Sequence, residues 1–163
     1  MTRLALSAAA AVFLAASGVA TGQSPPQTPS ALPSRPDASD LVALRQAGMR
    51  MMVVTLATMG RAAGDETTPV SRSGFAIGGL QRFAQALPAL YRPDTAAVSG
   101  TRALPAVWSD GEGFEARAAQ FRTAVDVLGA AAAADDRAAF AQALENTKAA
   151  CKACHDSYRA EGG

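Results

Sequence analysis

The sequence predicts an all-α protein with the architecture of an antiparallel four-helix bundle. Three observations support this fold class. Apolar residues recur at intervals of three and four in four segments after residue 37, and residues with helix-capping side chains precede these segments. No stretch alternates apolar and polar residues as a half-buried strand does. Four such helices can bury their apolar faces only against one another.

The N-terminal residues are predicted to lie outside the bundle. Residues 1–22 are typical of a signal peptide, with Arg3 before an apolar core at residues 4–16 and small residues near a cleavage site at 20–22. The apolar run is too short to span a bilayer stably, and an uncleaved anchor is the minor alternative. Residues 23–38 are proline-rich and predicted to be a disordered tether. We therefore expect an exported, periplasmic protein whose folded domain covers residues 39–163.

The first two helices follow the tether. Asp37 or Ser39 can cap the first helix, whose stripe is Leu41, Arg45, Met49, Met52, Leu56 and Met59. Thr68 is the predicted cap of the second helix, with Pro69 in the first helical position. This helix should end between residues 88 and 93, and its stripe is Leu80, Phe83, Leu87 and Leu90.

A long connection separates the second helix from the last two. Residues 92–107 contain three proline or glycine residues and no usable period, which predicts a crossing loop. Ser109 to Glu112 resembles a capping box before a third stripe of Phe114, Ala118, Phe121, Val125 and Leu128. Asp135 or Asp136 begins the last helix, whose stripe is Phe140, Leu144, Thr147, Cys151, Cys154 and Tyr158.

The last helix carries the motif Cys151-Lys152-Ala153-Cys154-His155, the attachment signature of a c-type haem. Two thiols at this spacing can form thioethers with the haem vinyl groups, and the adjacent imidazole can reach the iron. His155 is the only histidine in the chain, so ligation by two histidines is excluded. The alternatives are a structural disulfide or a redox dithiol, which normally follows a strand, and a zinc site, which lacks its other two ligands.

The formal charge of the chain is +1, and removal of residues 1–22 would leave 14 basic and 14 acidic side chains. This balance indicates no nucleic-acid binding, which normally needs a clustered basic surface. Lys148, Lys152 and Arg159 are predicted to form a solvated face of the last helix, with a docking patch for an acidic redox partner as the alternative. Trp108 is predicted to serve loop or core packing rather than as a redox relay.

Three segments resemble cytochrome c′, the class II c-type cytochromes of bacteria. They are Cys151 to Arg159, Leu104 to Asp110 with the later Phe114 and Phe121, and the run Arg45-Gln46-Ala47-Gly48-Met49. The resemblance covers the whole region after the tether and implies one covalent haem c in a four-helix bundle. Residues 92–101 depart from the Gly-Thr-Gly-like pattern of the family, so no roles are carried over there.

The resemblance also implies roles for individual residues. Cys151 and Cys154 would hold the haem and His155 would be the proximal ligand of its iron. Arg159 would lie beside that imidazole. Arg45 and Gln46 would lie at the haem edge, with the guanidinium near a propionate, although by spacing alone Arg45 could also extend to solvent at the bundle rim.

Met49 would occupy the distal face, where it either blocks the iron or binds it, although by spacing alone it is a core residue. The first case implies a five-coordinate, high-spin iron that binds NO or CO. The second implies a low-spin electron carrier. We favour the high-spin form and expect no enzymatic activity, because a peroxidase or reductase needs a polar distal acid-base group.

The redox partner is unknown. A homodimer through the first two helices is implied by many relatives, although no exposed stripe in the sequence argues for it.

Overall fold

A computed structural model describes residues 35–161 of the chain. The predicted signal peptide at residues 1–22, and residues 23–34 of the predicted tether, lie outside these residues. No helix in the described part is both long enough and apolar enough to cross a membrane.

The described residues form five α-helices, four of them long, and this confirms the predicted four-helix bundle. The helices are α1 (Ala38–Gly64), α2 (Gly74–Ala86), the single turn α3 (Ala106–Ser109), α4 (Gly111–Ala133) and α5 (Arg137–Tyr158). Three short 3₁₀ segments, Val70–Ser73, Leu87–Leu90 and Pro93–Thr95, lie between α1 and α3. The core between the long helices is apolar, and its largest fully buried side chains include Met59, Ile77, Leu128, Phe140 and Leu144.

Side-chain caps fix where α1 and α5 begin. The Asp37 carboxylate accepts a hydrogen bond from the Asp40 amide at 2.9 Å, and the Asp40 carboxylate accepts one from the Asp37 amide at 3.1 Å. This reciprocal capping box identifies Asp37, rather than Ser39, as the cap of α1. At the other end of the bundle, Asp136 caps α5 by accepting a hydrogen bond from the Ala139 amide at 2.9 Å.

Two predicted helix starts are wrong: α4 begins one residue later than predicted, and α2 begins at Gly74, five residues later, after the 3₁₀ segment Val70–Ser73. The predicted box at Ser109 to Glu112 does not form, because Ser109 ends the turn α3 and Asp110 caps α4 by accepting from the Gly113 amide. Pro69 precedes the second helical segment instead of beginning it. The Thr68 carbonyl accepts a hydrogen bond from the Arg137 guanidinium at 2.6 Å, which holds this connection against the start of α5.

The crossing loop, defined here as residues 91–105, is bonded to the C-terminal end of α5. The Leu104 amide donates to the Tyr158 carbonyl and the Ala160 amide donates to the Arg102 carbonyl, both at 2.9 Å. These bonds flank an isolated antiparallel bridge between Ala103 and Arg159. The loop is therefore bonded to the chain just after the turn of α5 that carries the Cys-x-x-Cys-His motif.

The other end of the crossing loop is held by Trp108 from α3. Its indole nitrogen donates to the carbonyls of Tyr91 at 3.0 Å and Arg92 at 3.2 Å. The half-buried Trp108 thus serves loop packing, as the sequence predicts.

Candidate functional site

A cavity of about 760 Å³ opens between α1, α4, α5 and the crossing loop. Its volume lies in the range of small-molecule and cofactor sites, roughly 300–1,000 Å³. All seven residues singled out from the sequence line this one cavity: Arg45, Gln46 and Met49 from α1, Cys151, Cys154 and His155 from α5, and Arg159 just after α5. The roles of these residues as ligands stay predictions.

The two cysteines lie in the last turns of α5 and are both half-buried at the cavity wall. They are not joined to each other. Burial raises the pKa of the Cys151 thiol to about 11, and burial also raises the pKa of the Cys154 thiol. Reactive Cys-x-x-Cys pairs have the opposite property, a lowered thiol pKa near a helix N-terminus. The geometry therefore does not favour a redox dithiol.

The imidazole of His155 is half-buried beside the two thiols. Burial, followed by the charge of Arg159, lowers the pKa of His155 below its usual value of 6.5. Neutral imidazole is the form that binds a metal ion. No cluster of three or more His, Cys, Asp or Glu residues within residues 35–161 could hold a free metal ion, so the zinc alternative gains no support.

Arg45 is a charged residue in the interior, with only 3% of its surface exposed. Its guanidinium donates to the Thr95 hydroxyl at 2.9 Å and to the Leu90 carbonyl at 3.2 Å, and it also bonds the Thr101 hydroxyl. It lies 4.5 Å from the centre of the Tyr91 ring, in a cation–π arrangement. The alternative that Arg45 extends to solvent at the bundle rim is therefore wrong.

The charge of Arg45 has no carboxylate partner among the described residues. Burial lowers the pKa of Arg45, but a guanidinium stays protonated in proteins. A buried cation without a counter-ion is costly, and an anion within the same cavity would relieve that cost. Haem propionates are anions of this kind.

The crossing loop supplies functional residues that the sequence analysis missed. Thr95 is fully buried, and its hydroxyl accepts from Arg45 while donating to the Arg92 carbonyl at 2.7 Å. The Gln46 amide donates to the Gly100 carbonyl at 2.9 Å. The sequence signal that could have indicated these contacts is Arg45 in the apolar stripe of α1, because a buried guanidinium must find acceptors on a neighbouring segment.

Most of the remaining cavity wall is apolar or aromatic, and the charged side chains that also line it are described below. Met49, Met52 and Leu56 line it from α1, and Phe114, Ala118 and Phe121 line it from α4. Phe114 makes edge-to-face contacts with Tyr91 and Tyr158, at ring-centre distances of 4.8 and 5.4 Å. The Tyr158 hydroxyl donates to the Asp110 carboxylate at 2.6 Å, which fixes the ring beside Cys154.

These features together fit haem c. The flat apolar ring system would meet the side chains of α1 and α4, the thiols would meet the vinyl groups, and the imidazole would meet the iron. The buried guanidinium supplies a cation for a propionate.

Comparison with known proteins agrees with this fit. A family model described as Cytochrome C′ matches residues 40–159. The cytochrome c′ of Rubrivivax gelatinosus is 46% identical over 69 residues, which are 42% of this chain and 54% of that protein. The cytochrome c′ of Cereibacter sphaeroides is 42% identical over 72 residues, covering 43% and 48% of the two chains. The chain thus spans about half the length of the curated relatives it matches.

Solved structures match over more of the chain. The crystal structure of cytochrome c′ from Rubrivivax gelatinosus has a TM-score of 0.69 at 31% identity, covering 75% of this chain and 96% of that chain. A nitric oxide complex of a variant of cytochrome c prime from Alcaligenes xylosoxidans has a TM-score of 0.69 at 28% identity, covering 77% and 98%. A carbon monoxide-bound variant from the same organism has a TM-score of 0.69 at 27% identity, with the same coverage of 77% and 98%. The chain belongs to the cytochrome c′ family, and its cofactor is haem c.

Proposed function

We propose that this protein is a periplasmic haem protein that binds NO or CO at a five-coordinate, high-spin iron and exchanges electrons. The observation that carries the proposal is the meeting of residues from two distant helices on one cavity. α1 and α5 are far apart in the sequence, and the residues predicted for the two faces of a haem come from these two helices.

Each residue has a separate task in the proposal. Cys151 and Cys154 hold the porphyrin through thioethers, and His155 is the sole axial ligand. Arg159 modulates the imidazole, consistent with its lowering of the pKa of His155. Arg45 and Gln46 neutralise and orient a propionate through donors that the crossing loop already aligns.

Met49 controls access from the α1 side of the cavity. It is half-buried and packs at the edge of the main core, next to the apolar side chains of Met52 and Leu56. A thioether there leaves a hindered, water-poor site that suits a small neutral gas. The NO-bound and CO-bound neighbours support this use of the cavity. The second candidate is a low-spin carrier in which the Met49 sulfur binds the iron, since a Met ligand raises the potential.

An enzymatic role is not proposed. Peroxidases and reductases require a group beside the iron that donates and accepts protons. The α1 side chains that line the cavity with Met49 are either apolar or are Arg45, Gln46 and Arg50. A guanidinium stays protonated and an amide stays neutral, so none of them is an acid-base group of this kind.

The test is expression of the full chain in a host with c-type haem maturation, followed by mass measurement and visible spectra. We expect a mass increase of one haem that survives acid acetone extraction, a high-spin spectrum in both oxidation states, and a sharper Soret band after CO is added. Protein without covalent haem would overturn the proposal. A far-red ferric band of the kind that methionine ligation produces would select the low-spin candidate instead.

Met49→Ala, with Met59→Ala as its control, separates a gate from a ligand. Met59 is a fully buried methionine on the same helix that does not line the cavity. A gate predicts an unchanged resting spectrum and faster CO binding in Met49→Ala. A ligand predicts a change of spin state. Met59→Ala should alter stability without altering either readout.

We propose further that two copies pair through α1. Leu44, Met51 and Val54 are 51%, 65% and 61% exposed and share a face of α1. Their spacing of seven and three residues is that of a helix-packing stripe. Met51→Lys should shift the protein to monomer in analytical ultracentrifugation, whereas Val127→Lys on α4, where Val127 is also 52% exposed, should not. A monomeric unmodified protein would contradict the pairing.

A further inference from the structure

Basic residues of this protein are concentrated along the cavity, although the domain as a whole is neutral. Residues 35–161 contain 14 basic and 14 acidic side chains. Seven of the basic residues line the cavity, and Asp156 is the single acidic residue among its described lining residues. The rest of the domain therefore carries seven basic and thirteen acidic side chains.

Six of these basic residues form what we call the basic rim: Arg50, Arg102, Arg117, Lys148, Lys152 and Arg159. They come from α1, the crossing loop, α4, α5 and the residue after α5, so every segment that surrounds the cavity contributes at least one of them. The seventh, Arg45, is buried beneath them. Four rim residues are exposed and the other two, Arg102 and Arg117, are half-buried.

Local carboxylates neutralise only part of this charge. Lys148 pairs with Glu145 at 2.7 Å and Lys152 pairs with Asp156 at 2.6 Å, both as exposed pairs on α5. Exposed pairs of this kind are weak and easily exchanged for another anion. The four rim arginines have no ion pair among the described residues.

We propose that the basic rim is the docking surface for an acidic redox protein that exchanges electrons with the haem. This inference rests on the proposed function, because only a haem in the cavity makes the opening a route for electrons. Six basic residues on five segments, four of them exposed, match an extended acidic surface. A small anion would instead require donors that converge on one point.

Val53 completes the resemblance to a protein interface. It lines the cavity and is 69% exposed, so it offers an apolar contact on the same surface as the basic rim. Interfaces commonly combine an apolar centre with a polar rim, and complementary charge mainly accelerates their formation.

The first experiment measures the local field with small redox reagents. Ferrous protein with verified covalent haem is oxidised by anionic ferricyanide and by cationic tris(phenanthroline)cobalt(III), at ionic strengths of about 0.01 M and about 0.15 M. The Debye length falls from about 30 Å to about 8 Å over this range. A neutral domain without a local patch predicts little salt dependence for either reagent. The rim predicts that, as the ionic strength rises, the rate with ferricyanide falls by about tenfold while the rate with the cobalt complex rises.

The second experiment reverses the charge of selected basic residues. Arg50→Glu with Lys152→Glu reverses two rim residues, and Arg72→Glu with Arg82→Glu makes the same net change at exposed residues outside the cavity. The rim variant should lose the salt dependence with ferricyanide, and the control should keep it. The same pair of variants is then tested for reduction by flavodoxin hydroquinone, an acidic electron donor. We expect about a tenfold slower rate at low salt in the rim variant only.

Each negative result has a distinct meaning. Protein without covalent haem contradicts the proposed function. A normal haem spectrum with equal rates in all variants contradicts the docking surface alone. Cosedimentation with phosphatidylglycerol but not phosphatidylcholine vesicles, lost in the rim variant while flavodoxin rates stay unchanged, would assign the rim to a membrane surface and overturn the proposal.

Discussion

Gly48 is the position where one added carbon should disturb the bundle most clearly. A Cβ atom at Gly48 would lie 2.0 Å from Cε2 and 2.3 Å from Cζ of the Phe83 ring. Phe83 is a half-buried residue of α2 that packs against the core, so α1 and α2 approach closely at this level because Gly48 has no side chain. Gly48→Ala must therefore displace the ring or separate the helices.

Gly60→Ala is the matched control. Gly60 lies on the same helix, and nothing lies within 4 Å of the Cβ position there. Each substitution gains about 1 kcal/mol of helix propensity. Gly48→Ala also incurs an overpacking cost of about 1–3 kcal/mol. The propensity gain cancels in the comparison, so Gly48→Ala should be less stable than Gly60→Ala by about 1–3 kcal/mol.

Urea unfolding of the two haem-loaded variants, followed by far-ultraviolet circular dichroism, measures this difference. Gly60→Ala should be about 1 kcal/mol more stable than the unmodified protein. Gly48→Ala should range from unchanged to about 2 kcal/mol less stable. Equal stabilisation by both substitutions would refute the reasoning, because it would mean that the Phe83 ring moves aside at no cost.

Two further predictions concern hydrogen bonds. Thr95→Val removes the buried hydroxyl that accepts from Arg45 at 2.9 Å, and we expect a loss of about 1–3 kcal/mol in urea unfolding because the guanidinium keeps a donor without its acceptor. Asp65→Asn removes a carboxylate whose pKa is lowered from 3.8 to about 2, chiefly by the hydroxyls of Thr67 and Thr68. A carboxylate whose pKa is lower in the folded state than in the unfolded state stabilises the fold at pH values above the unfolded-state pKa, and this stability is lost as the pH falls toward the folded-state pKa. The decline in melting temperature from about pH 4 to about pH 2 should therefore be shallower in Asp65→Asn.

Controls for these two substitutions lie on exposed positions. Thr123→Val on α4 should change stability by less than about 0.5 kcal/mol. A loss of that small size in Thr95→Val would mean that Arg45 finds another acceptor. Glu66→Gln, next to Asp65, should leave the acid decline unchanged. An identical decline in Asp65→Asn and the unmodified protein would contradict the role of the threonine hydroxyls.

The helices and the cavity residues on them were predictable because each depends on local sequence. The α1 stripe contains Arg45 and Met49, whose site roles the resemblance to cytochrome c′ implied, and the α5 stripe put Cys151 and Cys154 on the inward side. Helical periodicity indicates, within a single segment, which residues face the interior. The cap at Asp136 is equally local, since its carboxylate and the amide it accepts from are three residues apart.

The contacts of the crossing loop were not predictable for the opposite reason. Thr95 and Thr101 acquire their importance from Arg45, which lies 50 and 56 residues away. At the misplaced start of the second helical segment, the Thr68 carbonyl binds Arg137, which lies 69 residues later. The pairing of residues 102–104 with residues 158–160 has the same long-range origin. Such long-range contacts produce no periodic pattern in the sequence near the residues that make them.

Surface loops usually accept insertions and sequence drift more readily than the elements they connect. The crossing loop differs, because its hydroxyls and carbonyls hold Arg45 and Gln46 at one side of the cavity while its backbone is bonded to residues 158–160 at the other. A one-residue deletion between Thr95 and Thr101 would therefore disturb both walls at once. Attempts to shorten or graft this loop in an engineered variant need to preserve its register at both ends.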